Sequence, residues 1–449
     1  MSATPSTNRP LTEDDAALEF ARLYGDQLRF CHDRGAWLKW DGSIWRVERT
    51  RLAFHYAREL ARDMARASNT KAVVMAAKTT FAAGVERFAR ADPIFARTSD
   101  DWDQDPWLAG CPGGTLDLRS GLVERADPEL GITKSLAVAP ADESACPRFK
   151  AFLAETFGGD QALIRFIQQF CGYSLTGDIS EQALIFGYGG GGNGKSVLLN
   201  TISGILGDYA IAAAMDTFTA ARGERHTTDL AMLNGKRFVT ASETEEGKAW
   251  AEAKLKQVTG GDPIQARFMR QDFFQFLPTF KLFIVGNHRP ALHNIDDAAR
   301  RRINIVPFNF KPPDPDPGLE QKLKAEWPAI LGWMIDGCLD WQANRLIRPP
   351  SVTAATGTYF DDQDLFGQWL DEECETDQGN PHKWEPSSRL FSQWTHFAER
   401  AGEHGGTNKT FAEAMRLRGF EHHRGAKGQR QFRGVQLRLQ TDRVTGDAW

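Results

Sequence analysis

No apolar stretch of this sequence approaches the roughly 18 residues that a membrane-spanning helix needs. The N-terminus, MSATPSTNRPLTEDD, lacks the basic and then apolar segments of a signal peptide. The six cysteines are scattered and form no CxxC pair, which argues against a disulfide framework or a zinc site. These absences predict reduced thiols, a cytoplasmic location and no membrane partner.

Charge of one sign is not in excess either, because 54 Lys and Arg residues face 59 Asp and Glu residues, for a net charge of −5. Any binding to nucleic acid must therefore come from local basic clusters. At 449 residues the chain is long enough for roughly two to four domains.

The apolar pattern predicts a mostly helical N-terminal domain with hairpins over 13–145, after a disordered segment at 1–12. The predicted elements of this domain are helices at 13–33, 51–68 and 71–91 and hairpins at 36–48 and 115–125. The domain that follows, 146–350, is predicted to be α/β. Its predicted elements are a helical segment at 148–176, apolar strands at 183–187, 237–241, 281–286 and 303–308, a Pro-rich break at 311–318, and helices over 319–345.

Beyond a predicted linker near 350–358, the tail at 360–449 forms a third domain. It contains three helical candidates, at 364–375, 387–402 and 409–418, followed by the strand-like QFRGVQLRL. Three helices followed by a hairpin is the order of a winged helix, so we predict a C-terminal winged-helix domain.

Five glycines crowd the six positions from Gly189 to Gly194, directly before Lys195 and Ser196. Glycine loses the most conformational freedom on folding, so such a cluster marks a close approach of the backbone to another group. The spacing matches the phosphate-binding template GxxxxGK[ST], and a predicted strand and helix flank it. We expect the loop N–H groups to wrap phosphates, Lys195 to reach the β- and γ-phosphates of ATP, and Ser196 to ligate Mg²⁺.

Two other predicted strands end in polar residues, where ligands of open α/β sheets bind. The strand at 237–241 leads to Glu243, which we predict to order the Mg²⁺ shell and the attacking water. Glu245 can share that task, or it simply begins a solvated acidic loop. The strand at 281–286 leads to Asn287, whose amide can hold the water against the γ-phosphate.

The triplet Arg300, Arg301 and Arg302 stands directly before the strand at 303–308. An arginine that neutralises transition-state charge is a recurring part of phosphoryl transfer. We predict Arg302 as a finger that acts on a neighbouring subunit, because it adjoins the strand, with Arg301 as the next choice. The alternative is a solvated basic end of a helix.

Two basic regions predict contacts with DNA. In the first, IQARF and FFQF are predicted strands of a hairpin, and the candidate contacts of this region are Lys254, Lys256, Arg267 and Arg270. In the tail, a recognition helix at 409–418 and a wing at 424–433 supply Lys409, Arg416, Arg424 and Arg430. The alternatives are an ordinary hairpin and a solvated basic tail.

Alternating carboxylates at Asp101, Asp103 and Asp105 are spaced as if to hold two metals for polymerase chemistry. Because no strand is predicted on either side of them, solvated charge is the preferred interpretation. We expect no primer synthesis by this chain itself.

Five motifs, in this order and spacing, resemble those of the superfamily 3 helicases. They are GGGGNGKS (189–196), RFVTASETEEG (237–247), KLKQVTGGDPIQARF (254–268), KLFIVGNH (281–288) and RRRINIVPF (300–308). The resemblance is closest to the helicase portion of the phage and plasmid primase-helicase family related to the poxvirus primase-helicase. It extends upstream through WLKWDGSIW and GGTLDLRSG.

This resemblance implies an α/β fold with an AAA+-type P-loop NTPase core. It implies a DNA helicase that uses ATP and Mg²⁺, forms a homo-oligomeric ring, usually a hexamer, and moves along single-stranded DNA to unwind forked duplex. The setting it implies is replication of a phage, prophage or plasmid in a bacterial host cell. Longer relatives carry a primase-polymerase domain ahead of this region, and we expect such a domain to be a separate partner here.

Motif by motif, the resemblance assigns the acidic role to Glu243, the sensor role to Asn287, and a place in the DNA-contacting hairpin motif to Lys256. The family's acidic motif has adjacent acids, so the division of roles between Glu243 and Glu245 stays open. The predicted nucleotide-binding residues are Gly189, Gly190, Gly191, Gly192, Asn193, Gly194, Lys195, Ser196 and Val197.

Two other classes share the phosphate-binding loop. An origin-binding or loading protein would use ATP only to assemble a ring, without processive unwinding. A small-molecule kinase would need neither the basic hairpin nor the basic tail, and its ATPase rate would ignore DNA.

Overall fold

A computed structural model describes residues 11–66, 70–220, 228–242, 249–269, 272–292, 296–380, 382–425 and 428–438. The chain divides into two compact units, one of Met1–Pro290 with Arg301–Thr353 and the other of Ala291–Arg300 with Ala354–Trp449. Most of the segment predicted to be disordered, 1–10, lies outside the described residues. Within the described ranges, no helix combines the length and apolarity needed to cross a bilayer.

The N-terminal part combines four helices with a small sheet of order β3-β2-β1-β4. Its elements are α1 (Glu13–Tyr24), β1 (Leu28–Cys31), β2 (Ala36–Trp40), β3 (Trp45–Val47), α2 (Leu52–Arg66), α3 (Thr70–Ala76), α4 (Thr79–Ala91) and β4 (Ala96–Arg97). The predicted hairpin at 36–48 is confirmed by the pairing of β2 with β3. The prediction of one helix over 13–33 is wrong beyond Tyr24, because all four residues of β1 are buried in the sheet.

A second small sheet, of order β5-β6-β7, and two helices follow. They are β5 (Leu108–Cys111), β6 (Gly114–Asp117), β7 (Leu122–Glu124), α5 (Pro147–Thr156) and α6 (Gln161–Tyr173). The helix predicted over 148–176 is broken because Gly158 and Gly159 have φ angles of 60° and 78°, which L side chains rarely adopt. Asp160 then caps the N-terminus of the next helix, α6, where its side chain accepts a hydrogen bond from Leu163 N at 3.0 Å.

Five parallel strands in the order β14-β8-β13-β10-β9 form the central sheet. The elements of this region are β8 (Leu184–Tyr188), α7 (Lys195–Leu206), β9 (Ala210–Ala212), α8 (Thr228–Ala231), β10 (Phe238–Ser242), α9 (Glu252–Gly260), β11 (Ile264–Ala266), β12 (Phe274–Phe276), β13 (Lys281–Gly286), α10 (Asp297–Arg302) and β14 (Ile303–Pro307). All four strands predicted from apolar runs are confirmed. The edge strand β9 was missed, because three residues carry too little pattern.

Three further helices are α11 (Leu319–Lys324), α12 (Trp327–Asn344) and α13 (Pro350–Gln363). The predicted linker at 350–358 contains the boundary between the two units, at Thr353 and Ala354. It is helical, however, because those residues lie in α13, whose first position is Pro350, and proline is tolerated at the start of a helix. α12 packs closely on α6. A Cβ at Gly172 would lie 2.1 Å from the Cys338 nitrogen, and one at Gly337 would lie 2.2 Å from the Gln168 carbonyl oxygen.

The second unit has its own apolar core, around Trp369, Phe411 and Phe432. Its elements after α13 are α14 (Leu365–Glu373), β15 (Cys374–Thr376), β16 (Trp384–Pro386), α15 (Ser387–Arg400), α16 (Asn408–Leu417), β17 (His422–Arg424), β18 (Arg430–Arg433) and β19 (Val435–Leu437). The three predicted helices and the hairpin are present in the expected order. The winged-helix assignment stays a prediction.

The three alternating aspartates of the first unit each engage different partners. Asp101 accepts hydrogen bonds from Thr98, and Asp105 pairs with Arg119 at 2.9 Å. Asp103 lies 2.5 Å from the Lys134 ammonium. Burial alone would raise the pKa of Asp103, but Lys134 and hydrogen bonds from Thr133 lower it overall. Structural ion pairs and caps therefore account for these carboxylates.

Candidate functional site

The glycine-rich loop joins the end of β8 to the start of α7. β8 ends at Tyr188, residues 189–194 form the loop, and α7 begins at Lys195. This is the strand–loop–helix order of a phosphate-binding loop. Gly192 and Gly194 have φ angles of 77° and 84°, in the left-handed region that favours glycine. The glycines thus permit the turn from strand into helix.

Close packing requires glycine at both ends of the loop. A Cβ at Gly189 would lie 2.2 Å from the Phe308 carbonyl oxygen, and one at Gly194 would lie 2.9 Å from the Phe152 ring. At Gly190 and Gly191, by contrast, no described atom lies within 4 Å of a Cβ position. The middle of the loop is therefore open to the approach of a ligand.

Lys195 is buried at the start of α7, with only 7% of its surface exposed. Its Nζ donates to the Gly189 carbonyl oxygen, to Asn193 Oδ1 at 2.8 Å and to Asn287 Oδ1 at 3.3 Å. Burial lowers the pKa of this ammonium. All three acceptors are neutral oxygens, and a charged phosphate oxygen would bind the ammonium more strongly than any of them.

Asn287 reaches this position because of the strand register. β13 pairs in parallel with β8, with Gly286 opposite Tyr188, so the next residue of each strand leaves the sheet at the same edge. On the other side, Asn193 Nδ2 donates to the Phe308 carbonyl oxygen at 2.6 Å and ties the loop to the end of β14. The structure thus brings Asn287 together with the loop and Lys195, where the sequence placed it.

The predicted acidic residues, Glu243 and Glu245, lie outside the described residues. β10 ends at Ser242, which lies opposite Val285 of β13, two positions before Asn287. Ser196 is exposed at the second position of α7, and Val197 beside it is half-buried. Within the described ranges, no group of three or more His, Cys, Asp or Glu side chains is arranged to hold a metal ion.

A cavity of ≈ 550 Å³ opens beside the loop. Residues 191–197 and Asn287 line it, together with Phe152 of α5 and with Phe310 and Pro312 of the segment after β14. The sequence pattern does not indicate that either segment lines a cavity, because it predicts only a helix at 148–176 and a break at 311–318. The available signal was that Phe310 follows a strand at the same sheet edge as the glycine-rich loop.

The arginine triplet divides into exposed and buried members. Arg302 is only 7% exposed, and its Nε donates to Thr259 Oγ1 at 3.1 Å. The prediction that Arg302 is a finger for a neighbouring subunit is therefore wrong, because its side chain is enclosed within its own chain. Arg301 is exposed, while the Arg300 guanidinium lies 4.9 Å from the centre of the Phe360 ring. Arg300 and Arg301 are therefore the exposed members of the triplet.

The predicted hairpin is confirmed by the antiparallel pairing of β11 with β12. Arg267 is exposed just after β11, and its guanidinium lies 4.7 Å from the centre of the exposed Phe273 ring. The Phe268 and Phe274 rings stack at 5.7 Å. The tip of this hairpin therefore presents aromatic rings beside a positive charge.

Two of the four predicted contacts of this region are not on the hairpin. Lys254 and Lys256 are half-buried on α9, the helix that precedes it. Lys256 thus belongs to the helical first half of the motif at 254–268, and β11 belongs to its second half. Arg270 lies outside the described residues.

Basic side chains also gather in the second unit. Arg416 lies on α16, while Arg424 and Arg430 face each other across the hairpin of β17 and β18. All three are exposed, as is Lys409 at the start of α16. Burial and the positive charges of Arg416, Arg430 and Arg424 lower the pKa of His422. The three guanidinium groups therefore all repel a positive charge on this imidazole.

Two protein families match the chain. Residues 17–158 match the family described as "D5 N terminal like", and residues 187–302 match a family of unknown function, DUF5906. The second match spans the glycine-rich loop, β10, the β11–β12 hairpin, Asn287 and the arginine triplet.

Relatives among large DNA viruses are similar at low identity. Protein 022R of Frog virus 3 (isolate Goorha), whose name proposes a helicase, is 25% identical over 267 residues, which cover 55% of this chain and 27% of the relative. L207/L206 of Acanthamoeba polyphaga mimivirus, also named as a proposed helicase, is 28% identical over 228 residues, which cover 49% of this chain and 23% of the relative. The chain thus spans about a quarter of the length of these relatives.

Among solved structures, two of the NrS-1 C-terminal region (305–718) are similar over nearly the whole fold. Each has a TM-score of 0.53 at 11% identity. One match covers 94% of this chain and 99% of that structure, and the other covers 95% and 100%. At this identity the likeness concerns the fold.

Proposed function

The chain belongs to a D5-like family of primase-helicases, and on this basis we propose that it is an ATP-dependent DNA helicase that translocates along single-stranded DNA during replication. The observation that carries the proposal is the arrangement around Lys195. A buried ammonium held by Gly189, Asn193 and Asn287 lies beside an open glycine-rich loop and a cavity of ≈ 550 Å³.

The residues present fit a nucleoside triphosphate. The open backbone at Gly190 and Gly191 and the N-terminus of α7 provide N–H groups and a positive dipole end for phosphates. Phe152 and Phe310 line the same cavity from two different segments, which suits a flat, apolar base. In this proposal the phosphates lie along the loop and the base lies between α5 and the segment after β14.

Hydrolysis requires positive charge and an oriented water. Lys195 is placed to exchange its neutral oxygen partners for the β- and γ-phosphate oxygens. That exchange frees the Asn287 amide, which lies 3.3 Å from the ammonium, to orient the attacking water. Bound Mg²⁺ would neutralise charge that develops on the phosphates, with Ser196 and Glu243 as its proposed protein ligands.

The β11–β12 hairpin is the proposed contact with single-stranded DNA. Exposed Phe273 and Phe268 offer faces on which bases stack, and Arg267 adds a charge for the phosphates. In the second unit, the exposed cluster of Lys409, Arg416, Arg424 and Arg430 is a separate proposed DNA contact. We further propose a homo-oligomeric ring, usually a hexamer in such motors. The exposed Arg301 supports this proposal, because an arginine from a neighbouring subunit can add charge for the γ-phosphate to that of Lys195, Lys311 and Arg148, which also lines the cavity.

A loading protein is the competing function, and the basic second unit is the observation that favours it, because DNA binding there needs no motor. Strand displacement on a forked duplex separates the two. We expect ATP-dependent unwinding with many ATP molecules hydrolysed per duplex, and stimulation of hydrolysis by single-stranded DNA. ATP-dependent ring assembly on DNA without unwinding would favour the loader, and hydrolysis indifferent to DNA would contradict both.

A further inference from the structure

The side chain of Lys311 packs against the glycine-rich loop, on the side of the loop that faces solvent. A Cβ built at Gly192 would lie 3.3 Å from Lys311 Cε and 4.0 Å from its Nζ. The end of the lysine side chain therefore packs on the face of Gly192. Its neighbours in sequence, Phe310 and Pro312, both line the cavity.

The segment that carries Lys311 is fixed to the loop. Asn193, within the loop, donates from Nδ2 to the carbonyl oxygen of Phe308 at 2.6 Å. Lys311 follows Phe308 by three residues, so its backbone cannot move far from the loop. The side chain itself is exposed, and its long stem lets the ammonium swing over the loop surface.

Among the described residues, Lys195 and Arg148 of α5 are the basic side chains that line the cavity itself. Lys195 is a single buried ammonium, whereas the phosphate tail of a nucleotide carries several negative charges. Arg302 is enclosed elsewhere. Two aspartates, Asp314 and Asp316, line the cavity from the segment that carries Lys311. Asp316 already pairs with the Lys322 ammonium at 2.5 Å, and Asp314 is exposed.

We propose that Lys311 is a second phosphate ligand, whose ammonium binds the phosphate tail of the nucleotide where the tail passes Gly192. This inference rests on the proposed nucleotide site and adds a residue outside the GxxxxGK[ST] motif. Lys195 then holds the tail from the start of α7, and Lys311 holds it from the segment after β14. The same segment contributes Phe310. A bound nucleotide would therefore contact this segment twice, with its phosphates at Lys311 and with its base at Phe310.

The test is calorimetric titration of the full chain with adenosine, ADP and a non-hydrolysable ATP analogue. The variants are Lys311→Met, which keeps most of the stem and removes the charge, and Lys311→Arg, which keeps the charge. Lys71→Met is the matched control, because Lys71 is an exposed lysine on α3. We expect Lys311→Met to raise the Kd of ADP and of the ATP analogue about tenfold, the lower range for a hydrogen bond to a charged group. Adenosine affinity should be unchanged.

Lys311→Arg should keep at least part of the ADP affinity that Lys311→Met loses. The salt dependence of ADP binding should become weaker in Lys311→Met and not in Lys311→Arg or Lys71→Met. Equal affinities of Lys311→Met and Lys71→Met for ADP would overturn the inference. An equal loss of affinity for adenosine and for ADP in Lys311→Met would also overturn it, because the substitution would then have changed the shape of the cavity. If the wild type binds no nucleotide, or if Lys195→Ala binds ATP as the wild type does, the proposed function itself fails.

Discussion

The Lys195 ammonium lies 3.3 Å from the amide oxygen of Asn287, although 92 positions separate the two residues in the chain. The parallel register of β8 and β13 produces this contact, because both strands leave the sheet side by side. In the proposed function Lys195 binds phosphate and Asn287 orients water. Because the two side chains share one hydrogen bond, phosphate binding at Lys195 would release Asn287.

Replacing Lys195 by Ala should reduce ATP hydrolysis by roughly 10²–10³-fold or more, the typical effect of removing one electrostatic ligand of a transition state. Phosphate release measures the effect, with Lys71→Ala as a matched exposed lysine. The thermal unfolding midpoint should fall only slightly, because the hydrogen bonds of this lysine are to oxygens of the loop and of Asn287. Hydrolysis at the wild-type rate would remove the phosphate-loop argument.

Arg301 should act across a subunit boundary. Arg301→Ala should lower hydrolysis by a factor of roughly 10³–10⁵, the usual range for an arginine finger. Mixing Arg301→Ala with Lys195→Ala should restore part of the activity, because one subunit keeps the loop and its neighbour keeps the finger. A mixture that co-assembles but stays inactive would place Arg301 outside this role.

The hairpin should bind DNA through Arg267. Arg267→Ala should weaken binding to a single-stranded oligonucleotide and reduce the slope of log affinity against log salt by about one, the expectation for one lost phosphate contact. Lys256→Ala should change the slope less, because Lys256 is half-buried on α9. Fluorescence anisotropy at several salt concentrations measures both. An unchanged slope in Arg267→Ala would mean that the hairpin binds something else.

DNA binding by the second unit should depend on pH through His422. Burial and three nearby arginines lower the pKa of this imidazole in the free protein, whereas bound phosphates would offset the arginine charges and raise it. A group whose pKa rises on binding takes up a proton, so the affinity for duplex DNA should increase as pH falls through the region around and below 6.5. His422→Gln should flatten this dependence. An equal pH dependence in His422→Gln would exclude the linkage.

The sequence predicts four of the five strands of the central sheet and the meeting of the loop with Asn287, because these follow from buried apolar runs and from a motif of fixed spacing. It failed where tertiary contacts decide. The position of Arg302 beside β14 favours it as a finger, but Thr259, 43 positions away, accepts its hydrogen bond within the same chain. The sequence also does not predict that Phe310 lines the cavity. A local pattern cannot indicate which distant segment of the chain packs opposite α5.

The close contact between α6 and α12 also has a mechanical consequence. α6 directly precedes β8 and α12 follows β14, so this helix pair joins the two ends of the sheet-bearing segment. Tension applied to the chain from either side would load Gly172 and Gly337, where the helices almost touch, before it reached the strands. A pull on the two ends of this segment would therefore be borne by the helix pair before it could separate the strands that position the glycine-rich loop.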